Sequence, residues 1–299
     1  MNSKLPPQRI AITGASGLIG GALIGHLRSE GHTVQRLVRR APITPDEVLW
    51  NPVAGTVDLE PLRGADAVIH LAGAGVGDHR WTKKYKSEIL NSRLLGTTAI
   101  ATAVNELKPA VFISASAMGW YGETGNRAVT EADRAGDDFL ATVCREWEGA
   151  ADSVEGVRTV KLRTGLVLDP TGGALGRMLP LFKFGLGGKL GSGNQWWSWI
   201  TLHDHIRAIC HLLESNIAGP VNLTSPNPVT NLEFTAALAR ALHRPALFPA
   251  PAFALKLALG GFSTEILGSK KVLPQVLTED GFEFDYPHIV GALNALIAE

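Results

Sequence analysis

RIAITGASGLIGGALIGHLRSEGHTVQRLVRR, residues 9–40, divides into three parts of different period. Arg9 to Thr13 is a short β-branched run, Leu18 to Ser29 carries apolar residues at helical spacing, and Thr33 to Val38 reads again as a strand. Gly31 stands where a helix C-cap favours glycine. Between the first strand and the helix, Gly14, Gly17 and Gly20 recur three residues apart. Gly14 permits a tight turn, Gly17 lets the backbone approach a pyrophosphate, and Gly20 permits close packing of helix on strand. The helix N-terminus then offers unpaired N–H groups to phosphate. A glycine array alone also fits an ordinary turn, but the flanking strand and helix make it informative. Gly14, Ala15, Ser16, Gly17, Leu18, Ile19 and Gly20 are therefore the expected cradle of a dinucleotide.

About 20 residues beyond such glycines, an acid would hold the ribose 2′-hydroxyl of NAD, whereas arginine accommodates the 2′-phosphate of NADP. Here Arg39 and Arg40 follow the second strand, and no Asp or Glu lies between Glu30 and Asp46. Guanidinium matches phosphate in charge and geometry, so NADP(H) is the expected cofactor.

Outside this unit the alternation of strands and helices continues, which implies a parallel sheet. Ala67 to Leu71, Ala110 to Ser114 and Val157 to Leu168 read as strands, and Lys84 to Leu107 and Asp137 to Ser153 as helices. The predicted class is α/β: a Rossmann-type doubly wound parallel sheet with a smaller, mostly helical lobe on the substrate and C-terminal side. The expected division is a nucleotide-binding domain over 8–168 and a second lobe over 169–299. A strand near 220–225 returns to the main sheet and interleaves the two.

Of the 299 residues, 45% are hydrophobic and 19% charged, enough for a large core and too apolar for disorder. Lys plus Arg and Asp plus Glu both total 28, and basic pairs occur only singly, which speaks against nucleic acid and for a small-molecule substrate. Two cysteines, Cys144 and Cys210, make neither a disulfide framework nor a zinc site. MNSKLPPQ lacks a signal-peptide core, and no apolar run reaches spanning length. The expectation is a cytoplasmic monomer or homodimer without membrane contact.

From Asp66, the segment DAVIHLAGAGVGDHRWTKKYKSEILNSRLLGTT resembles a group within the short-chain dehydrogenase/reductase superfamily, usually labelled the epimerase family. SASAMGWYG (114–122), FLATVCREWEGAA (139–151), RTGLVLDPTGGALGRMLP (163–180), GSGNQWWSWITLHD (191–204) and LPQVLTEDGFEFDYP (273–287) extend the resemblance over nearly the whole chain. It implies an epimerase/dehydratase domain followed by a short C-terminal domain of uncharacterised role. Carried over, Leu71, Ala72 and Gly73 contact the cofactor through backbone. Glu88 and Ser92 share a helix face, Arg93 stands where extended members commonly carry Asn and faces the cleft, and Arg163 ends a strand near the nicotinamide. Glu88 reads equally well as a surface charge.

The same resemblance exposes a departure. The superfamily uses a Ser or Thr to bind the substrate oxygen, a Tyr to exchange its proton, and a Lys four residues on to lower the Tyr pKa. A free phenol titrates near 10, so that cation matters. Aligned on Trp147 and Glu148, the Tyr and Lys positions fall near Leu140 and Cys144. What remains is Ser116 as a polarising hydroxyl and Tyr121 as a substitute acid, provided Arg93 or Lys86 approaches it; otherwise Tyr121 packs its loop. The implied function is an NADP(H)-dependent oxidoreductase or nucleotide-sugar epimerase-like enzyme acting on a nucleotide sugar or carbonyl compound. The other reading is a non-catalytic NADP(H)-binding redox sensor.

Two further clusters leave alternatives open. Trp196, Trp197 and Trp199 either floor a substrate pocket or pack the lobe. His203 and His205 bracket Asp204, but a helix starting there makes capping by Asp204 or Thr201 the expected role, and no metal is expected. Pro249 to Gly261 reads as an apolar helix broken at Gly260-Gly261, a packing or subunit-contact element too short to span a bilayer.

Overall fold

The computed structural model describes residues 6–298. Strands β1 (Arg9–Thr13), β2 (Thr33–Val38), β3 (Glu47–Asn51), β4 (Thr56–Val57), β5 (Ala67–His70), β6 (Val111–Ala117), β7 (Arg158–Thr164) and β8 (Gly219–Leu223) form one sheet. Its order is β8-β7-β6-β5-β1-β2-β3-β4, parallel except for the antiparallel β3–β4 edge. The Rossmann-type α/β fold read from the sequence is the fold observed. Helices α1 (Leu18–Ser29), α2 (Lys83–Leu107), α3 (Phe139–Ala151) and α5 (Leu202–Glu214) cover its faces, while α4 (Gly173–Lys183), α6 (Asn231–Ala241) and α7 (Ala252–Leu259) lie in the second lobe.

Alternation along β1 sends Ile10 and Ile12 to one face, where they pack with Leu23 and Leu27 of α1 and Ile209 and Leu212 of α5. Ala11 faces the other side, with Phe112, Ile100 and Val104 of α2 and Ala151 of α3. A separate core joins Leu179 and Phe182 of α4 to Phe234 and Leu238 of α6 and to Leu293 of the helix Ile289–Ala298.

Three local readings are corrected. The sheet has two more strands, β3 and β4, at the edge beyond β2. Glu47 opens β3 with its side chain buried, which is tolerable because two arginines neutralise it. The run read as one strand over 157–168 breaks at Gly165, where a Cβ would lie 2.7 Å from both the Ser198 carbonyl oxygen and the Thr224 methyl. Beyond the break, Leu166–Asp169 leaves the main sheet and pairs with Trp199–Thr201. Third, the strand read as ending at Ser114 continues to Ala117, carrying Ser116 inside the sheet.

Helix α1 ends as Gly31 implied: Gly31 adopts φ +89°, and the His32 N–H reaches back to the Leu27 carbonyl. Thr201 caps α5 by accepting from the Asp204 N–H.

Candidate cofactor and substrate site

The turn after β1 can be built only with glycine. Gly14 has φ +74°, and a Cβ there would stand 2.8 Å from the Leu71 carbonyl carbon. A Cβ on Gly20 would fall 2.2 Å from the Gly14 carbonyl oxygen. The loop thus presses β1 against the end of β5 and brings α1 in close behind. Gly17 caps α1 without a side chain, leaving the first-turn N–H groups to an incoming anion. Ala15, Ser16, Leu18 and Ile19 complete this loop, and Leu18 lies beneath Gly172, so the second lobe roofs the cradle. These features fit a dinucleotide diphosphate: the close approach a Cβ would block is available on the side where the helix dipole favours negative charge.

Thr13 had not been singled out. Its hydroxyl accepts from the Leu71 and Ala72 N–H groups at 3.1 and 3.2 Å and therefore donates to His70 Nδ1 at 2.7 Å. This latch fixes the Leu71–Gly73 backbone beside Gly14. It also sets the His70 tautomer: the proton is on Nε2, which has no hydrogen-bond partner among the described residues and meets Trp50 edge-on. Complete burial pulls the His70 pKa down to about 3, so the ring is neutral. A threonine ending the strand before the glycine turn was the available sequence signal.

The two arginines after β2 behave differently. Arg40 donates to both carboxylate oxygens of Glu47, at 2.8 and 2.6 Å, and the Arg40 and Ile43 bonds hold Glu47 down to about 2. Its fork is therefore occupied by Glu47 in this structure. Arg39 is exposed and makes no hydrogen bond or ion pair among the described residues. Arg28 and Arg36 converge on Asp46 at 2.5 and 2.7 Å, so the first acidic residues after β2 are both neutralised.

Residues of α2 hold the loop after β5. Ser92 accepts from the Ala74 N–H at 3.1 Å, Tyr85 donates to the Gly75 carbonyl, and Arg93 donates to the carbonyls of Ala74 and Ile89 at 2.9 and 3.0 Å. The guanidinium of Arg93 lies over the Trp147 ring at 4.8 Å and against Gly73. It has no carboxylate partner among the described residues. Burial lowers its pKa from the usual arginine value, and Cys144 is near enough to couple to it. Glu88, one turn earlier, is exposed and makes no hydrogen bond among the described residues.

Ser116, Arg163 and Asn222 occupy one row across β6, β7 and β8. Arg163 donates to Glu148 through Nε at 2.8 Å and Nη2 at 3.0 Å, and its plane covers Trp120 at 3.9 Å. Ser116 donates to the same carboxylate at 2.7 Å. Tyr121 accepts from Arg163 and donates to Asn222 Oδ1 at 2.7 Å. All five side chains are buried. Burial pushes the Tyr121 phenol up to about 12 despite the adjacent Arg163. The cation beside Tyr121 is Arg163, itself neutralised by Glu148, and neither Arg93 nor Lys86, the two on which an acid role was conditional. The polar atoms of Ser116 and Arg163, expected at the substrate and nicotinamide side, are enclosed and both committed to Glu148 in this structure.

On α3, Leu140 and Cys144 are buried, and burial pushes the Cys144 thiol up to about 12. Arg93, Leu140 and Cys144 thus converge at this end of the sheet, the thiol neutral and enclosed. Trp199 is fully buried with its indole N–H on the Asn227 carbonyl, and Trp197 packs on Phe234, so both serve the lobe core. Trp196 lies under Lys271 and donates to Asn126. His203, Asp204 and Asp285 converge, but Asp204 is filled by Arg207 and the N–H groups of Asp285 and Tyr286.

Residues 10–143 match the model of the NAD-dependent epimerase/dehydratase family, and residues 250–296 match a domain family of unknown function. An epimerase family protein of Mycobacterium leprae is 43% identical over 95% of this chain and 94% of its own length. The crystal structure of human epimerase family protein SDR39U1 with NADPH superposes with a TM-score of 0.90 at 31% identity, covering 97% of this chain and 99% of that one. A structure described as a nucleoside-diphosphate sugar epimerase from Corynebacterium glutamicum gives 0.79 at 36% identity, covering 98% of this chain and 59% of that one. Among the described residues no helix is long and apolar enough to cross a membrane.

Proposed function

The chain belongs to the NAD-dependent epimerase/dehydratase family, and from that premise we propose that it binds NADP(H) and reduces a small carbonyl compound without a phenolic acid. The observation that carries this reading is Arg93, a guanidinium without a carboxylate partner held beside Gly73 and Cys144. It stands next to the helix position where the superfamily's lysine would be. NADPH supplies a hydride when bound. The backbone of Gly14–Gly20 and Leu71–Gly73 holds the diphosphate and ribose, and Arg39 pairs with the 2′-phosphate. Arg93 donates hydrogen bonds to the carbonyl oxygen and stabilises the negative charge that develops there. The proton then comes from solvent, since Ser116 and Tyr121 are walled off. NADPH in the human relative supports the choice of cofactor.

The name of the Corynebacterium relative favours, among carbonyl compounds, a nucleoside-diphosphate sugar bearing a ring ketone, which accepts the hydride. Reversible epimerisation needs a group that takes a proton from the sugar and returns it. Ser116, Tyr121 and Cys144 are enclosed, which favours simple reduction. The same enclosure favours a second reading, an NADP(H)-binding redox sensor. Both are tested by following nicotinamide absorbance with carbonyl compounds and nucleoside-diphosphate sugars. Turnover that disappears in Arg93→Ala and partly returns in Arg93→Lys supports reduction. Tight NADPH binding with no turnover across the panel selects the sensor.

A further inference from the structure

Two long stretches of this chain contain no acidic residue: 170–203 and 234–264. The fold brings them together. The Phe248 N–H donates to the Gly187 carbonyl, Ala250 to Lys189, and Gly191 to Ala250, while Arg244 Nε reaches the Lys183 carbonyl at 3.1 Å. Helix α7 follows directly and buries none of its residues. This surface carries the exposed side chains Phe184, Leu186, Leu247, Phe248, Phe253 and Leu257. Phe184, Phe248 and Phe253 are 80%, 59% and 75% exposed. At roughly 200 Å² for a whole ring, these three phenylalanines alone show on the order of 400 Å² to solvent. That already reaches the largest apolar patch usual for a monomer, before the leucines are added.

The charges carried by the two stretches have one sign. Lys183, Arg240, Arg244 and Lys256 are exposed, and none is in an ion pair among the described residues. Phe253 and Leu257 are four apart on one face of α7, with Lys256 beside them. A second copy docking through this surface by two-fold symmetry would bring the same cations face to face. A negatively charged apolar interface accepts both the rings and the cations. With eight residues, α7 cannot span a bilayer, but it can lie in the headgroup region with its apolar face down.

We propose that the surface formed by 181–189 and 244–257 docks the protein peripherally on anionic lipid bilayers, with Phe184, Phe248, Phe253 and Leu257 entering the interface. This departs from the expectation, read from the sequence, of no membrane contact: the absence of a spanning helix leaves surface docking open. Phe262, just beyond α7, packs against Gly77 and Trp81, so the surface adjoins the segment between β5 and α2 that begins with Leu71–Gly73.

The test is co-sedimentation of the full chain with vesicles of phosphatidylcholine alone and of phosphatidylcholine with phosphatidylserine. The expected result is binding to the mixed vesicles that weakens with added salt and is absent on the neutral ones. Phe253→Ser with Leu257→Ser, and separately Lys183→Glu with Lys256→Glu, should each weaken binding at least about tenfold. An unchanged thermal midpoint shows that each variant is folded; all four residues are exposed, so that is the expected behaviour. No binding to mixed vesicles overturns the proposal. So does binding that both pairs leave intact, or a dimer in solution that the same substitutions dissociate.

Discussion

Replacing Arg39 and Arg40 one at a time separates two neighbours that look equivalent in sequence. Arg39 is exposed and unengaged, whereas Arg40 is held by both oxygens of Glu47. If Arg39 meets the 2′-phosphate, Arg39→Ala removes charge-assisted hydrogen bonds to a doubly charged group. Such bonds contribute about 1.5–3 kcal/mol, so the NADPH dissociation constant should rise roughly 10- to 100-fold. NADH carries no 2′-phosphate, and its constant should change less than about twofold. Arg40→Ala should leave the ratio of the two constants nearly unaltered and instead lower the thermal midpoint, because buried Glu47 keeps only Arg36 at 3.2 Å and the Ile43 N–H. Titration of each variant with both reduced nucleotides, followed by nicotinamide fluorescence, reads the ratio directly. Equal losses for both nucleotides in Arg39→Ala, or loss of discrimination in Arg40→Ala, would refute the assignment.

Further outcomes follow from the buried groups. Glu148→Ala leaves Arg163 buried without its partner and should cost about 3–5 kcal/mol, read as a large fall in denaturation midpoint. Tyr121→Phe should cost about 1–3 kcal/mol in stability by stranding Asn222 and Arg163, while turnover with any identified substrate stays intact; lost turnover in a folded variant would restore Tyr121 to the chemistry. Gly20→Ala forces a methyl against the Gly14 carbonyl, and NADPH binding should fall steeply, which calorimetric titration would detect. His70 and His205 both have native pKa values of about 3, against an unfolded value near 6.5. Below pH 6.5 the unfolded chain takes up protons that the native one refuses, so their contribution is complete above that pH and is lost progressively toward pH 3. Urea midpoints between about pH 6.5 and 5, above the titration range of the carboxylates, should therefore decline, and His70→Asn should flatten that decline.

The sequence was legible wherever local period and local chemistry agreed. β1, the glycine loop and α1 stand where RIAITGASGLIGGALIGHLRS places them, because glycine spacing, strand and helix are all read within one window. The Arg40–Glu47 pair was not legible, since Glu47 opens β3, the five-residue run EVLWN that the sequence reading did not identify as a strand. The surroundings of Ser116 and Tyr121 were hidden similarly: their hydrogen-bond partners Glu148, Arg163 and Asn222 are 32 to 101 residues distant in the chain. A hydroxyl at the right strand end looks the same in sequence whether it faces a cleft or a buried ion pair. Arg93 was singled out from its position on α2, and only packing showed that it lies against Gly73 without a carboxylate partner among the described residues.

Gly165 carries a consequence for how the chain acquires its structure. At this one residue the backbone passes from the main sheet to the small sheet with Trp199–Thr201, and the chain later returns to seal the sheet edge through β8. Truncation near residue 168 would therefore leave β7 as a bare edge, with Arg163 deprived of the Asn222 row and an aggregation-prone ladder open to other chains. Neither half can complete its hydrogen bonding alone. Thermal or urea unfolding should accordingly proceed as one cooperative transition, with both halves melting together, and co-expressed halves split near 168 should assemble only as a complementing pair.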